Sequence, residues 1–206
     1  MAKKNIGLLG GTFNPVHNGH IKMAEFALNF NNINEIWFLP NYYPPHKDMY
    51  NDNNLLDHRL KMLEMIVSED KRFKICDIEI KRGGRSYTYE TLTDLTEMYP
   101  DYQFFFIIGE DSIYQFEHWV RPEIITKYAD ILVAHRHIGV NNNCNLFDEI
   151  KYLESKYSCN FYLMDMPYTD ISSSEIRKRA YLHKELDDLV PDKIKGYILE
   201  NHLYTT

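Results

Sequence analysis

Apolar positions along this chain fall into two rhythms that take turns. Residues 5–9, Asn-Ile-Gly-Leu-Leu, form a short continuous run that reads as a buried strand. Ile21, Met23, Ala24, Phe26, Ala27 and Phe30 follow at the spacing of one helix face. Residues 35–40 predict a second strand. Leu55, Leu56, Leu60, Leu63, Ile66 and Val67 then mark a helix, with the Asp57-His58 pair expected on its surface. Residues 73–81 alternate partly and predict a third strand. Leu92, Leu95 and Met98 predict the buried face of the next helix. Residues 103–108 are continuously apolar apart from Gln103, which suits a central strand covered on both faces. A helix over 122–128, a strand over 129–134, a helix near 147–157 and a strand over 161–164 complete the pattern.

Strands alternating with helices predict an α/β fold with a doubly wound, mainly parallel, Rossmann-like sheet. After the last strand, Ser172-Ser173-Ser174-Glu175 has the form of a capping box, with Ser172 capping a helix and Glu175 bonding back. Pro191 is placed to open a further helix at its first turn. No internal repeat or low-complexity linker interrupts the 206 residues. The expectation is one domain over 1–206, with about 172–206 as a helical C-terminal extension of it.

The richest chemistry lies in Gly10-Gly11-Thr12-Phe13-Asn14-Pro15-Val16-His17-Asn18-Gly19-His20, between the first strand and the first helix. Gly10 and Gly11 allow a sharp turn and close approach to a ligand. His17 and His20 stand three apart at the helix start, beside free amide donors and the positive end of the helix dipole. Such a place suits a phosphate. Gly7, Gly10 and Gly11 do not make GxGxxG, and no Gly-Lys-Ser/Thr follows, so the two commonest phosphate loops are excluded. A zinc site needs three or four ligands, and no third histidine or cysteine stands nearby in sequence.

In an open parallel sheet, ligands bind at the carboxyl ends of the strands. Each predicted strand ends in groups of this kind. They are the GGTFNPVHNGH turn, Asn41 to Lys47, Arg82 to Thr88, Gly109-Glu110-Asp111, Arg136, and Ile171 to Arg177.

His17-Asn18-Gly19-His20 is the HxGH pattern, and with its GGTFNP turn it resembles the nucleotidylyltransferase superfamily. Pro44-Pro45-His46-Lys47, Arg82-Gly83-Gly84-Arg85-Ser86-Tyr87-Thr88 with Glu90-Thr91-Leu92, Gly109-Glu110-Asp111, Trp119, Ile171 to Arg177 and the tail from Leu189 to Tyr204 extend the likeness over the whole chain. Together they are similar to the bacterial nicotinate-nucleotide adenylyltransferases. Glu90, Ser174 and His137 depart from that family's usual Asp, Thr and Pro.

The resemblance implies adenylyl transfer from ATP to nicotinate mononucleotide, giving nicotinate adenine dinucleotide and pyrophosphate in NAD biosynthesis. It assigns His17, His20 and Arg177 to catalysis. Gly10, Gly11, Thr12, Phe13, Gly19, Gly109, Asp111, Ser173 and Ser174 join them around ATP. Asn41, Lys47, Tyr87, Thr88, Trp119 and Arg136 fall to the mononucleotide. Asp111 reads equally as a ribose acceptor or a helix N-cap. Ser86 to Thr88 reads either as a carboxylate-binding turn or as the cap of the next helix. Trp119 reads as a ring-stacking partner or as core, and Arg82 and Arg85 are weaker candidates. Mg2+ is expected, bound mainly through ATP phosphates, with no protein metal site of its own. Sister transferases with the same ATP side and another mononucleotide remain alternatives, as does a silent nucleotide-binding regulator.

The charge of −7 argues against non-specific nucleic-acid or anionic-membrane partners, so any phosphate site is a local basic pocket. Cys76, Cys144 and Cys159 are odd in number and lack CxxC spacing, which points to a reducing compartment. Neither the N-terminal run nor residues 104–108 are long enough for a signal-peptide core or a membrane span. A cytoplasmic location follows as the expectation, and a homo-oligomer is compatible with the sequence.

Overall fold

The computed structural model describes residues 3–43, 53–136, 143–167 and 170–205. Strands β1 (Lys4–Gly11), β2 (Glu35–Pro40), β3 (Phe73–Ile75), β4 (Tyr102–Gly109), β5 (Ala129–Arg136) and β6 (Phe161–Met166) form one sheet in the order β3-β2-β1-β4-β5-β6. Every neighbouring pair is parallel. The chain winds outward from β1 in one direction, then returns to β4 and winds outward in the other. The strand order therefore reverses between β1 and β4, where an open sheet leaves a crevice at the carboxyl ends.

The central strands are continuously apolar because helices cover both faces. Phe105 and Ile107 of β4 pack with Leu9 on one face, while Phe104, Phe106 and Ile108 pack with Ile6 and Leu8 on the other. Successive side chains of a strand point to opposite faces. The first face is covered by α1 (Asn18–Leu28), α2 (Asn53–Val67), α8 (Ser173–Tyr181) and α9 (Asp192–Glu200). The second lies under α4 (Thr88–Met98), the single turn α5 (Glu110–Ile113), α6 (Pro122–Tyr128) and α7 (Asn143–Tyr157). Each fully buried Leu, Ile or Phe contributes about 1.5–3 kcal/mol relative to exposure. Among the described residues, no helix is long and apolar enough to cross a membrane.

Several expectations need correction. The third strand ends at Ile75, and residues 78–82 form a short helix, α3 (Ile78–Arg82). Among the described residues, β3 is an edge strand paired with Ile36, Trp37 and Phe38, and after the Cys76 amide reaches the Phe38 carbonyl at 2.8 Å the pairing with β2 stops. The apparent alternation Ile78-Glu79-Ile80 misled because the buried member is Glu79. Met98, at the frayed end of α4, is 60% exposed, unlike fully buried Leu92 and Leu95. Pro191 is the N-cap of α9 and not its first helical residue. His58 is no bystander: its Nδ1 lies 2.8 Å from the Tyr197 hydroxyl and ties α2 to α9. Ser172 caps α8 by accepting the Glu175 amide at 3.2 Å. The return bond of the box is replaced by an ion pair of the Glu175 carboxylate with Arg179 at 3.0 Å.

Candidate active site

β1 delivers Gly10 and Gly11 to the switch point. Phe13 then takes a left-handed backbone, φ 50°, and turns its ring inward. The ring is 1% exposed and packs edge-on against Phe38 and His20, with centroids 5.7 and 5.0 Å away. A Cβ on residue 11 would stand 3.0 Å from that ring, so glycine is what lets the plug close. His17 is the N-cap of α1 and not a first-turn residue; its backbone is extended, with φ −146°. His20 is the third helical residue. The two imidazoles stack, with centroids 3.7 Å apart and planes at 27°.

The His17 amide donates to His20 Nδ1 at 3.3 Å. In the neutral ring this leaves the His20 proton on Nε2, where it can be donated to a ligand. Gly19 makes room for the pair, since a Cβ there would lie 3.0 Å from His17 Nδ1. His17 is buried and His20 half-buried.

Groups distant in sequence converge on the residue 12–15 loop. Arg59 of α2, 1% exposed, donates from Nε to the Thr12 carbonyl at 2.6 Å. Its Nη2 reaches the Asn41 carbonyl at 2.5 Å. Burial pushes the Arg59 pKa down to about 10, so the guanidinium stays charged at neutral pH. From α8, the Ser173 hydroxyl donates to the Pro15 carbonyl at 2.9 Å. Arg177 donates from Nη1 to the Asn14 carbonyl at 2.7 Å and from Nη2 to Ser174 Oγ at 3.3 Å. A guanidinium has five N–H donors, so this geometry leaves capacity for an anion. The single Ser173 proton is committed to the loop, which weighs against its assignment as a phosphate donor. Asn18 is held by the tail, with its amide on the Leu189 carbonyl at 3.0 Å and its side chain on Asp188 at 2.9 Å.

On the β2 side, the Asn41 amide donates to the Gly11 carbonyl at 3.1 Å, and Asn41 Nδ2 donates to Thr12 Oγ1 at 3.3 Å. The Thr12 hydroxyl proton is thereby left for another acceptor. Tyr43 and Arg85 form a parallel bridge, and Ser86 Oγ accepts the Tyr42 amide at 3.0 Å. Tyr87 and Thr88 are therefore brought beside the residue 41–43 loop. Both are half-buried, Tyr87 as the backbone N-cap of α4 and Thr88 as its first residue. Below them Glu79 accepts from Thr91 at 2.8 Å and bonds Ser86, while burial pushes its pKa up. Arg82 is engaged with Thr91, Asp94 and Glu90, so it is a structural cation. Arg85 is exposed.

On the β4 side, Gly109 caps α5, and Asp111 is the second residue of that turn, exposed. The N-cap reading of Asp111 is thus corrected: an extended Gly109 backbone already does that work. Among the described residues, a Cβ on Gly109 would meet nothing within 4 Å. The adjacent Glu110 bonds the buried His135 at 2.7 Å. Trp119 is half-buried, with its ring 6.0 Å from Phe106 and 5.4 Å from Phe116. Phe106 also faces Gly10, whose Cβ would lie 3.3 Å from the ring edge. Lys47, with the rest of the Pro44-Pro45-His46-Lys47 segment, and His137 lie outside the described residues. Arg136 is the last residue of β5, and its side chain also lies outside them.

Sequence reasoning missed Arg59, Glu79 and Tyr204, whose hydroxyl donates to Asn14 Oδ1 at 2.6 Å. Arg59 carried a readable signal, since it stands on the apolar stripe of α2, three or four residues from Leu55, Leu56, Met62 and Leu63. Tyr204 and Glu79 carried none.

Known proteins are similar to this chain in sequence and in fold. Residues 8–179 match the family described as cytidylyltransferase-like. The nicotinate-nucleotide adenylyltransferase of Bacillus subtilis (strain 168) is 39% identical over 203 residues, spanning 98% of each chain. Among solved structures, the Plasmodium falciparum nicotinic acid mononucleotide adenylyltransferase complexed with NaAD superposes with a TM-score of 0.77 at 24% identity. That match covers 98% of this chain and 97% of the other. The same Plasmodium enzyme complexed with APC gives a TM-score of 0.75 at 23% identity, covering 98% and 97% of the two chains. At these identities the two superpositions speak to the fold.

Proposed function

This chain belongs to the cytidylyltransferase-like family and, within it, to the nicotinate-nucleotide adenylyltransferases, and from that premise we propose how its site works. The enzyme transfers the adenylyl group of ATP to nicotinate mononucleotide, giving nicotinate adenine dinucleotide and pyrophosphate, in NAD biosynthesis. The observation that carries the mechanism is the stacked His17–His20 pair at the start of α1, with Arg177 across the loop from it.

The mononucleotide phosphate is already an anion and attacks the α-phosphorus of ATP in line. The bond from that phosphorus to the leaving pyrophosphate breaks. No general base is required, so catalysis consists of alignment and neutralisation of charge. His20 is the donor nearest the reacting phosphorus, through Nε2. His17 orders His20 by stacking and by its amide bond. Arg177, with Ser174, meets the leaving pyrophosphate. Thr12 and the Gly10, Gly11, Phe13 and Gly19 backbone complete the ATP phosphate site, with Ser173 as its anchor. Gly109 and Asp111 serve the nucleoside, Asp111 through a ribose hydroxyl.

Asn41, Tyr87 and Thr88 form the mononucleotide side, with Trp119 against the pyridine ring and Lys47 and Arg136 near its phosphate. Among the described residues no three His, Cys, Asp or Glu gather to hold a metal ion. Imidazole, hydroxyl and guanidinium suit Mg2+ carried on the triphosphate oxygens, where it would neutralise phosphate charge. The C-terminal residues 172–206 belong to the same domain, since Ile176, Val190, Ile194 and Ile198 share the core of Leu9 and Phe13. A cytoplasmic setting fits the thiols of Cys76 and Cys159, both free.

Pyrophosphate release from ATP with a panel of mononucleotides tests the reading. Donors at Thr88 and nearby amides favour a carboxylate, which offers only acceptors. A carboxamide leaves one donor facing its NH2, at about 1–3 kcal/mol, so kcat/KM for the acid should exceed that for the amide at least about tenfold. Equal use of both would move the assignment to a sister enzyme.

A further inference from the structure

Tyr204 lies near the far end of the chain from the phosphate loop, yet the fold brings its hydroxyl to that loop. The hydroxyl donates to Asn14 Oδ1 at 2.6 Å, across 190 residues of sequence. Asn14 is 9% exposed, and its carbonyl accepts the Arg177 guanidinium at 2.7 Å. One residue therefore joins the tail hydroxyl to the arginine that faces the leaving group.

Two further observations set this bond apart from an ordinary packing contact. Tyr204 is held at φ 66°, a left-handed backbone that a bulky aromatic residue rarely adopts. Strain of that kind persists only where the surroundings over-determine it, and it concentrates at functional sites. The phenol also feels two cations. Burial pushes its pKa well above the usual phenol range, while Arg177 and Arg59 pull it the other way. The hydroxyl stays protonated at neutral pH and is a donor, which is what the Asn14 oxygen requires. The ring packs on the core that carries Phe13 and Val16, so the donor is held on a rigid base.

We propose that Tyr204 is a positioning residue for adenylyl transfer, fixing Asn14 and through it the Arg177 guanidinium. The inference rests on the reading of Arg177 as the clamp on the leaving pyrophosphate. Ground-state binding of ATP uses many donors around the loop and tolerates a loosened arginine. The charge that grows on the leaving group as the bond breaks does not, because stabilisation there depends on a donor already in place. A shift of about 1 Å in a positioned group can cost on the order of a hundredfold in rate. Loss of the bond that holds the Asn14 side chain, which reaches Arg177 only through the Asn14 backbone carbonyl, should cost less, about tenfold.

The test is steady-state kinetics with thermal melts on Tyr204→Phe, Asn14→Ala, the double variant and Arg177→Ala. Tyr204→Phe keeps the ring and removes only the hydroxyl. Its kcat should fall about tenfold, with KM for ATP and for nicotinate mononucleotide each within about twofold of the parent. Asn14→Ala should behave alike, and the double variant should be no slower than Asn14→Ala alone, because both changes break one relay. Three results overturn the inference: parental kcat in Tyr204→Phe while Arg177→Ala is slow, losses that multiply in the double variant, or a loss of melting temperature with kcat unchanged. If Arg177→Ala itself retains the parental kcat, the clamp reading fails instead. Should Tyr204→Phe not fold, Asn14→Ala decides the same question, with an unchanged kcat counting against the relay.

Discussion

The two sides of the switch-point crevice are held in different ways. On the β1 side, the loop of residues 12–15 is gripped by buried or half-buried partners from three directions: Arg59 of α2, Ser173 and Arg177 of α8, and Tyr204 of the tail. On the β4 side the candidates are more open. Asp111 is exposed, Trp119 is half-buried, and among the described residues a Cβ on Gly109 would meet nothing within 4 Å. The difference matches what the proposed assignment asks of each side. Charge developing at phosphorus is stabilised only by donors already in position, which a rigidly held loop would supply. A ring and a carboxylate can be recognised by a surface they help to complete.

That contrast can be broken most directly at His20. Replacing it by alanine should leave the melting temperature nearly unchanged and lower kcat about 10²–10³-fold, the usual cost of one preorganised donor. Turnover near the parental rate would show that the β1 side is not the phosphate site.

Arg59→Met probes the rigidity itself. It strips a charged donor from the Thr12 and Asn41 carbonyls. The expected loss is about 2–4 kcal/mol of stability, a fall in Tm on the order of 10 °C for a chain of this length, together with reduced kcat. A variant as stable and as fast as the parent would mean that the loop holds its shape unaided.

Trp119→Ala tests the open side. It should raise KM for the mononucleotide by about 1–3 kcal/mol of lost stacking and leave KM for ATP almost unchanged. Because the ring also packs on Phe106 and Phe116, a modest fall in Tm is expected. An equal rise in both KM values would place Trp119 in the core alone.

The smallest effect belongs to a site far from both sides. Glu35 opens β2 at the amino end of the sheet. Burial would raise its pKa, but hydrogen bonds from Lys4, Lys74 and Trp37 outweigh it and hold the pKa at about 2. A depressed carboxyl pKa contributes stability above its unfolded value of about 4.3 and loses that contribution as pH falls toward 2. Glu35→Gln should therefore lower Tm at pH 7, converge with the parent near pH 2, and leave kcat intact. A constant Tm difference across that range would contradict the assignment.

Much of the proposed phosphate side was legible in the sequence because its parts are local. A strand-to-helix turn, two histidines at i and i+3, and a serine cap each lie within a few residues, so backbone geometry alone relates them. The buried strands were legible for a similar reason: a run covered on both faces must be apolar throughout. The edge was not. β3 is short because only Ile36, Trp37 and Phe38 offer it partners, and pairing is a property of the neighbour. The segment after it became α3 because Glu79 found Thr91 and Ser86 inside the fold, against the alternation of its isoleucines.

By itself, then, the chain determined the alternation of elements, the parallel sheet and the turn at Gly10–His20. Those follow from continuous apolar runs, from the 3.6-residue helical period and from backbone rules that act over a single turn. Only the tertiary structure decided what holds that turn in place. The Thr12 carbonyl that Arg59 bonds and the Asn14 side chain that Tyr204 bonds lie 47 and 190 residues away, and although the apolar stripe of α2 marks Arg59 as buried, nothing local names the partner of either. A charged or phenolic side chain becomes a strut only when the rest of the fold buries it against an unsatisfied acceptor, and that pairing is settled by packing across the whole core.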